Sequence, residues 1–287
     1  MTQEELAYGI CSTGTLSKIE HGNQVPSMHT FQALMQKLGE PTHVYSIPIS
    51  LQEMQSQKIY RQFVHLIIKD DLQSAAELIQ NFSGILQQNR PFNEQLFSYM
   101  LCVWHSKNKK DPLIVVKKLE NALNLSMPDY KGSLPDTTKR LTFHEINILN
   151  ILAIQYLKMG KSTKTISYLK WMKEYFEKND IDDTEKSRIY PMILCNYADV
   201  LSAKGYFQEA YHVSEIGKEI CMSHENLIML PFLLSCAGRN LTYIGKHQIS
   251  QEYFSHASSL FQLLGCHNSL RYMREPNGPE RALLAIL

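Results

Sequence analysis

The sequence predicts an all-α fold: a short helical head followed by an array of about five helical hairpins. From residue 51 to about residue 267, apolar residues recur at i, i+3, i+4 and i+7, as they do on one face of a helix. The alternation typical of strands is almost absent. A turn glycine also recurs in three similar segments. We therefore expect helices packed in pairs.

Residues 1–40 are predicted to form three short helices, each marked by its cap. Thr2 precedes Glu5 by three residues, which is the spacing of a capping box. Ser12 and Ser27 stand at the expected starts of the second and third helices. A unit of about 40 residues is near the lower size limit for a core that folds unaided.

A linker and the hairpin array follow the head. Residues 41–50 (PTHVYSIPIS) are predicted to be a linker, because their two prolines disfavour a long helix. Residues 51–287 form the predicted array. We expect the tail segment PERALLAIL to be a capping helix for the array or a dimer contact.

Three segments of the array align on the glycines Gly160, Gly205 and Gly245, which are 45 and 40 residues apart. Two helices that cross close to their turn need a small residue on each at the crossing point. Small residues occur seven positions before each glycine and five positions after it: Ala153, Ala198 and Gly238, then Thr165, Ala210 and Ser250.

This pattern resembles the tetratricopeptide repeat, with helices longer than those of the usual repeat. Two weaker units turn near Asp71 and Asp111. The resemblance implies a right-handed α-solenoid of about five hairpins over residues 51–287.

The head matches a second known pattern, at Gln3, Leu6, Ala7, Leu16, Ser17, Ile19, Glu20, Gly22, Pro26 and Ser27. These residues resemble the lambda-repressor-like (XRE) helix-turn-helix family. The resemblance implies that Ser12 to Glu20 is the recognition helix. The alternative is a set of ordinary capped helices. The DNA-binding residues that the resemblance implies are Gln3 on phosphate and Thr13, Gly14, Thr15 and Lys18 in the major groove.

The head departs from this family in two respects. The family's first helix, rich in arginine and lysine, is missing before Thr2, so we expect Glu20 to lack its usual arginine partner. For the same reason we expect the apolar face of Leu6, Ile19 and Leu34 to lack one wall. Two lysines stand against four glutamates in residues 1–40, a net charge of −2, which predicts weak binding to DNA phosphates.

Composition excludes several classes of function. The formal net charge is +1, which predicts no strong general attraction to nucleic acid or membranes. The six cysteines form no C-x-x-C pair, which favours a reducing cytoplasm. Because no signal peptide and no apolar run long enough to span a bilayer occurs, we expect a cytoplasmic protein without membrane contact. We expect no enzyme, cofactor or metal site, since no G-x-S-x-G, Walker A, H-E-x-x-H or G-x-G-x-x-G motif is present.

A helix-turn-helix head joined to helical repeats resembles the peptide-pheromone receptors of Gram-positive bacteria, the quorum-sensing PlcR, PrgX and Rgg group. Within the repeats, the likeness rests on NYADVLSAKGYFQEAYHVSEIGKEIC and LPFLLSCAGRNLTYIGK. It implies a transcriptional regulator that binds a short secreted peptide in the concave groove of its repeats. It also implies a homodimer that acts on promoter DNA.

The first helix of each hairpin would line this groove. An asparagine side chain offers both a donor and an acceptor, so it can pair with a peptide unit of any sequence. Asn196, within N-Y-A-x-x-L, matches the family's groove asparagine best. The alternative for Asn196 is a structural asparagine whose hydrogen bonds are satisfied, and for Asn147, Asp199 and Tyr243 it is a solvated face or helix packing. The candidate peptide-binding residues are Asn147, Asn150, Asn196, Asp199, Arg239 and Tyr243.

Two other functions remain open. A truncated, acidic head is compatible with a repeat adaptor that binds a protein partner and not DNA. A phosphatase-like repeat regulator that acts on response regulators is the third hypothesis. Those proteins begin with a helical bundle, so the match from Gln3 to Ser27 argues against this third hypothesis.

Overall fold

The computed structural model describes residues 1–42, 51–83, 92–136, 139–266 and 270–274. The described segments contain helices, turns and bends, and no strand occurs among them. Part of the predicted linker (residues 43–50) and the predicted tail helix (residues 279–287) lie outside the described residues. The helices are α1 Gln3–Ala7, α2 Thr13–Glu20, α3 Met28–Leu38, α4 Leu51–Ile68, α5 Leu72–Ser83, α6 Phe92–Lys107, α7 Pro112–Asn124, α8 Phe143–Lys158, α9 Ser162–Lys178, α10 Asp183–Ala203, α11 Phe207–Ser223, α12 Leu230–Tyr243, α13 His247–Leu263 and α14 Arg271–Arg274.

Helices α1, α2 and α3 begin at the predicted caps. The capping box of Thr2 and Glu5 is formed, and the hydroxyls of Ser12 and Ser27 accept backbone N–H groups of α2 and α3. The three helices enclose a small core of Leu6, Ala7, Leu16 and Leu34, with Ile19 packed against it.

The Glu20 carboxylate has a hydrogen-bond partner other than the family's arginine. Nε2 of Gln3 donates a hydrogen bond to the Glu20 carboxylate, which ties the start of α1 to the end of α2. The side chains of Leu6 and Leu34 are also buried. The three helices therefore close their core and satisfy Glu20 from within the head.

The hairpins are α4–α5, α6–α7, α8–α9, α10–α11 and α12–α13, five in the part of the chain that is described. The first helices of successive hairpins also contact one another, which places them on the inner face of the array. The predictions of an all-α fold and of about five tetratricopeptide-like hairpins are thus confirmed.

At the α8–α9 and α12–α13 crossings, the predicted small residues contact each other directly. The hydroxyl of Thr165 donates to the carbonyl of Ala153 at 3.1 Å, and that of Ser250 to the carbonyl of Gly238 at 2.7 Å. Backbone contacts of this kind require close approach of the helices. The turns after α8, α10 and α12 each use a glycine with positive φ, between +75° and +86°, whereas Asp70 and Lys109 take positive φ in the turns after α4 and α6.

The head is docked on the array through the starts of α8 and α10. The amide oxygen of Gln36 accepts the backbone N–H of Phe143 at 3.0 Å. The backbone N–H of Asp182 donates to the carbonyl of Gly39 at 2.8 Å, and both the N–H and the hydroxyl of Thr42 donate to Glu185. The same two helices therefore contact the head at their N-termini and continue along the inner face of the array.

In the described part of the chain, no helix combines the length and the apolar character needed to cross a membrane.

Candidate functional site

Two asparagines pair with each other on the inner face. Asn150 is on α8 and Asn196 is on α10, and both are fully buried. Nδ2 of Asn196 donates to Oδ1 of Asn150 at 3.1 Å. The other amide atoms, Nδ2 of Asn150 and Oδ1 of Asn196, are shielded from solvent and have no hydrogen-bond partner among the described residues. The pair thus has one donor and one acceptor that make no hydrogen bond among the described residues.

A spare donor beside a spare acceptor is the complement of one peptide unit, which presents a carbonyl and an N–H group. A buried polar atom without a partner costs about 1–3 kcal/mol, and that cost is recovered when a ligand supplies the partner. Asn147, one turn earlier on α8, adds a further buried acceptor, because its Oδ1 also has no partner within the described segments. The spare atoms of the asparagine pair therefore match, in their chemistry, one unit of an extended backbone.

A second polar cluster continues the inner face on α10 and α12. The guanidinium of Arg239 donates to the carboxylate of Asp199, and both side chains are more than nine-tenths buried. The hydroxyl of Tyr272 donates to the second oxygen of the same carboxylate at 2.5 Å. The Tyr272 ring lies 4.7 Å from the Arg239 guanidinium, which also donates to the Tyr272 carbonyl at 3.3 Å.

Burial and charge fix the protonation states in this second cluster. Burial raises the pKa of Tyr272 well above its ordinary value, and the Asp199 carboxylate raises it further, so the phenol remains a neutral donor. Burial also raises the pKa of the Cys195 thiol, with a further contribution from Asp199. For Arg239, burial acts to lower the pKa, but Asp199, Tyr272 and Cys236 together raise it. The cluster therefore contains one buried ion pair and one neutral phenol.

The two clusters are adjacent. Asp199 follows Asn196 by three residues, so the two side chains lie on the same side of α10. Asp199 and Arg239 both stand six residues before the turn glycine of their hairpins. The structure thus brings together five of the six candidate groove residues. Tyr243, one turn after Arg239 on α12, differs from these five in being 54% exposed, and its ring stacks on Phe207 at the start of α11.

Sequence reasoning missed part of this face. On α8, Nε2 of Gln155 donates to the hydroxyl of Ser106 at 2.6 Å, and its Oε1 is buried without a partner in the described chain. Gln155 stands within the apolar run of α8, and a polar residue inside such a run is a signal that could have been used. No comparable signal marks Tyr272.

The residues expected to contact DNA are exposed for the most part. Thr13, Gly14 and Lys18 are exposed, and Thr15 is partly buried with its hydroxyl 2.9 Å from that of Ser12. The amide of Gln3 is engaged with Glu20, as described above.

The positive charge of this surface is low. Of the two lysines in residues 1–40, Lys37 is only 2% exposed, and its ammonium donates to the carbonyl of Tyr8 at 2.5 Å. Burial lowers the pKa of Lys37. Lys18 is therefore the lysine of the head that can meet a phosphate.

Across the described residues, no group of three or more histidine, cysteine, aspartate or glutamate side chains is placed to bind a metal ion. All six cysteines are free thiols.

Comparison with solved structures identifies the fold. The crystal structure of Bacillus thuringiensis PlcR in complex with the peptide PapR7 and DNA matches with a TM-score of 0.67 at 19% identity. The match covers 96% of this chain and 94% of that chain. The chain has the PlcR fold. The apo form of Bacillus thuringiensis PlcR matches with a TM-score of 0.60 at 16% identity, over 95% of this chain and 98% of that chain.

At the level of sequence, no family model matches this chain and no curated protein matches it significantly. The likeness to PlcR at this identity therefore establishes the architecture, a helix-turn-helix-like head on a tetratricopeptide-like array.

Proposed function

We propose that this protein is a transcriptional regulator that senses a short peptide on the inner face of its repeats. The peptide then controls DNA binding by the head, with the chain acting as a homodimer. The observation that supports this proposal most is the asparagine pair, because Asn150 Nδ2 and Asn196 Oδ1 match the acceptor and donor of one peptide unit. The PlcR structure of the same fold was obtained with a peptide and DNA bound, which fits this assignment.

Peptide binding is tested by display of random heptapeptides on the purified full-length protein, followed by calorimetry with the selected sequences. Asn196→Ala should weaken binding by about tenfold or more, because a buried peptide group loses its partner. Asn121→Ala is the matched control, since Asn121 is exposed on α7, the second helix of its hairpin. Selection of no peptide, or equal affinity for the Asn196→Ala variant, would contradict peptide sensing through this pair.

DNA binding is tested with a fragment from upstream of the protein's own gene, by fluorescence anisotropy at physiological salt. Lys18→Gln should weaken specific binding and reduce its salt dependence, whereas Lys117→Gln on α7 should leave both unchanged. Addition of a selected peptide should change the affinity for this fragment.

A second candidate function is a repeat adaptor that binds a protein partner and not DNA. The burial of Lys37 favours it, because this burial removes one of the two lysines of the head from any phosphate contact. Peptide binding without any specific DNA binding would support the adaptor, whereas a specific complex with the upstream fragment would exclude it.

A further inference from the structure

The side chain of Tyr272 fills a pocket on the inner face that fits a phenol. Tyr272 is 0% exposed. Phe232 contacts its ring edge-on, with the centroids 5.2 Å apart, and the Arg239 guanidinium lies over its face. The hydroxyl end meets the Asp199 carboxylate and lies 3.3 Å from Sγ of Cys195. One apolar wall, one cation and one hydroxyl acceptor together define a tyrosine-shaped subsite.

Shielding the apolar surface of the last hairpin from water does not require the hydroxyl of a tyrosine. A leucine or phenylalanine at position 272 would cover the apolar surface of α12 without a hydroxyl. The Asp199 carboxylate, by contrast, offers an oxygen to a hydroxyl in addition to its bond with Arg239. A buried site that hydrogen-bonds a hydroxyl rejects the analogue that lacks it, because the acceptor is left unpaired. The pocket is therefore selective for a phenol over a plain aromatic ring.

The element that delivers Tyr272 is short and peripheral. Helix α14 has four residues, follows the last hairpin and packs on α12. A helix of this length has no stability of its own, so it can leave the inner face without unfolding the repeats. The pocket adjoins the asparagine pair, since Cys195 precedes Asn196 in the chain and Asp199 lies one turn later on α10. An extended peptide bound to the asparagines can place a side chain in this pocket.

Building on the function proposed above, we infer that Tyr272 is an internal ligand of the groove. The signalling peptide displaces α14 and inserts a tyrosine side chain of its own into the vacated pocket. The apparent affinity for the peptide then equals the intrinsic affinity multiplied by the fraction of molecules in which Tyr272 has left the pocket. The pocket itself makes the sensor specific for a hydroxylated aromatic residue.

The test uses the heptapeptides selected on the full-length protein, with the variants Tyr272→Ala and Tyr272→Phe. The selected peptides should share a tyrosine at a fixed position. Tyr272→Ala should bind them about tenfold more tightly than the wild type does, because competition is removed. Tyr272→Phe keeps the ring and loses the bond to Asp199, so it should gain about threefold. Replacing the peptide tyrosine by phenylalanine should weaken binding about tenfold or more.

Tyr206→Ala is the control, since Tyr206 is 57% exposed at the α10–α11 turn, and its affinity should equal that of the wild type. A purely structural role for Tyr272 predicts a lower melting temperature with no gain in affinity, and that result would overturn the inference. Selected peptides without a shared tyrosine would overturn it as well. If Tyr272→Ala does not fold, the Tyr272→Phe affinity decides, and equality with the wild type counts against the inference. If no variant binds any peptide, the proposed function itself fails and this inference falls with it.

Discussion

The ion pair between Arg239 and Asp199 is buried on the inner face of the array. The two side chains are 7% and 2% exposed, so each charge has left water and depends on the other for compensation. Replacement of both by apolar residues can be close to neutral, but removal of one leaves a buried charge alone. The pair therefore links α10 to α12, and a substitution of one partner alone should strongly destabilise the protein.

Arg239→Met should lower the free energy of unfolding by about 3–5 kcal/mol, because the buried Asp199 carboxylate then loses its guanidinium partner. Urea denaturation monitored by circular dichroism measures this loss. Lys178→Met is the control: its side chain is 60% exposed beside Glu174, which is 37% exposed, and its loss should cost at most about 1 kcal/mol. The double variant Asp199→Asn with Arg239→Met should recover part of the loss. Equal costs for Arg239→Met and Lys178→Met would contradict this account of the pair.

Individual residues differ in how far the sequence could predict them. Asn150 and Asn196 could be placed on the inner face by counting back from a turn glycine, since helical geometry is local. Their mutual hydrogen bond could not be predicted, because it joins residues 46 positions apart on different helices. Tyr272 could not be found at all, since its contacts are with residues on α10 and α12, and local spacing says nothing of them.

At the scale of a helix, α10 contains a proline, which lacks the backbone N–H of other residues, and a side chain outside the helix makes the missing hydrogen bond. Pro191 is inside α10 and has no N–H to offer the carbonyl of Ser187, four residues earlier. Nδ2 of Asn226, in the loop between α11 and α12, donates to that carbonyl at 2.9 Å. Its Oδ1 accepts the N–H of Met229 at 3.3 Å. One side chain therefore satisfies α10 and supports the entry into α12.

Asn226→Asp should destabilise the protein by about 1–2 kcal/mol, because the side chain keeps its acceptor for Met229 and loses the donor for Ser187. The same substitution in a Pro191→Ala background should cost less, since alanine restores the backbone N–H at that position. Thermal unfolding of the four proteins gives the coupling energy directly. Additive effects would show that Asn226 does not act through the carbonyl of Ser187.

Helices and hairpin turns were predictable because their signals are local. The glycines at 160, 205 and 245 adopt positive φ as their position after an amphipathic helix indicated. Hydroxyl-to-carbonyl bonds at the α8–α9 and α12–α13 crossings also agree with the small residues of the sequence. The proline in α10 shows the limit of such reasoning, because the residue that compensates it is 35 positions away in the chain.

At the scale of the whole molecule, the head is held against the array by contacts that local patterns cannot predict. Tyr8 and Gly9 follow α1 as an ordinary turn, yet the Tyr8 hydroxyl donates to Asp129 at 2.7 Å. Gly39 ends α3 with φ +83°, as a helix C-cap does, and its carbonyl also accepts the N–H of Asp182. Turn signals in the sequence explain why these residues end helices. They do not predict that the same residues also contact the array.

Gly9 and Gly22 offer a matched test of this docking, since both have φ +71°. A side chain at either position is strained by roughly 1–2 kcal/mol in the left-handed region. At Gly22 the added Cβ meets nothing within 4 Å, whereas at Gly9 it would lie 1.9 Å from the carbonyl oxygen of Ser126. Gly9→Ala must therefore move the head away from the array, and Gly22→Ala need not.

Hydrogen exchange measured by mass spectrometry distinguishes the two variants. Gly9→Ala should increase exchange in α1, in α3 and around residues 126–129, because the contacts of Gly9 with Ser126 and of Tyr8 with Asp129 are lost together. Gly22→Ala should lower the stability of the head alone and leave residues 126–129 as protected as in the wild type. Equal protection of residues 126–129 in the two variants would mean that this contact does not hold the head. The bonds of Gln36, Gly39 and Thr42 to α8 and α10 would then be sufficient to dock it.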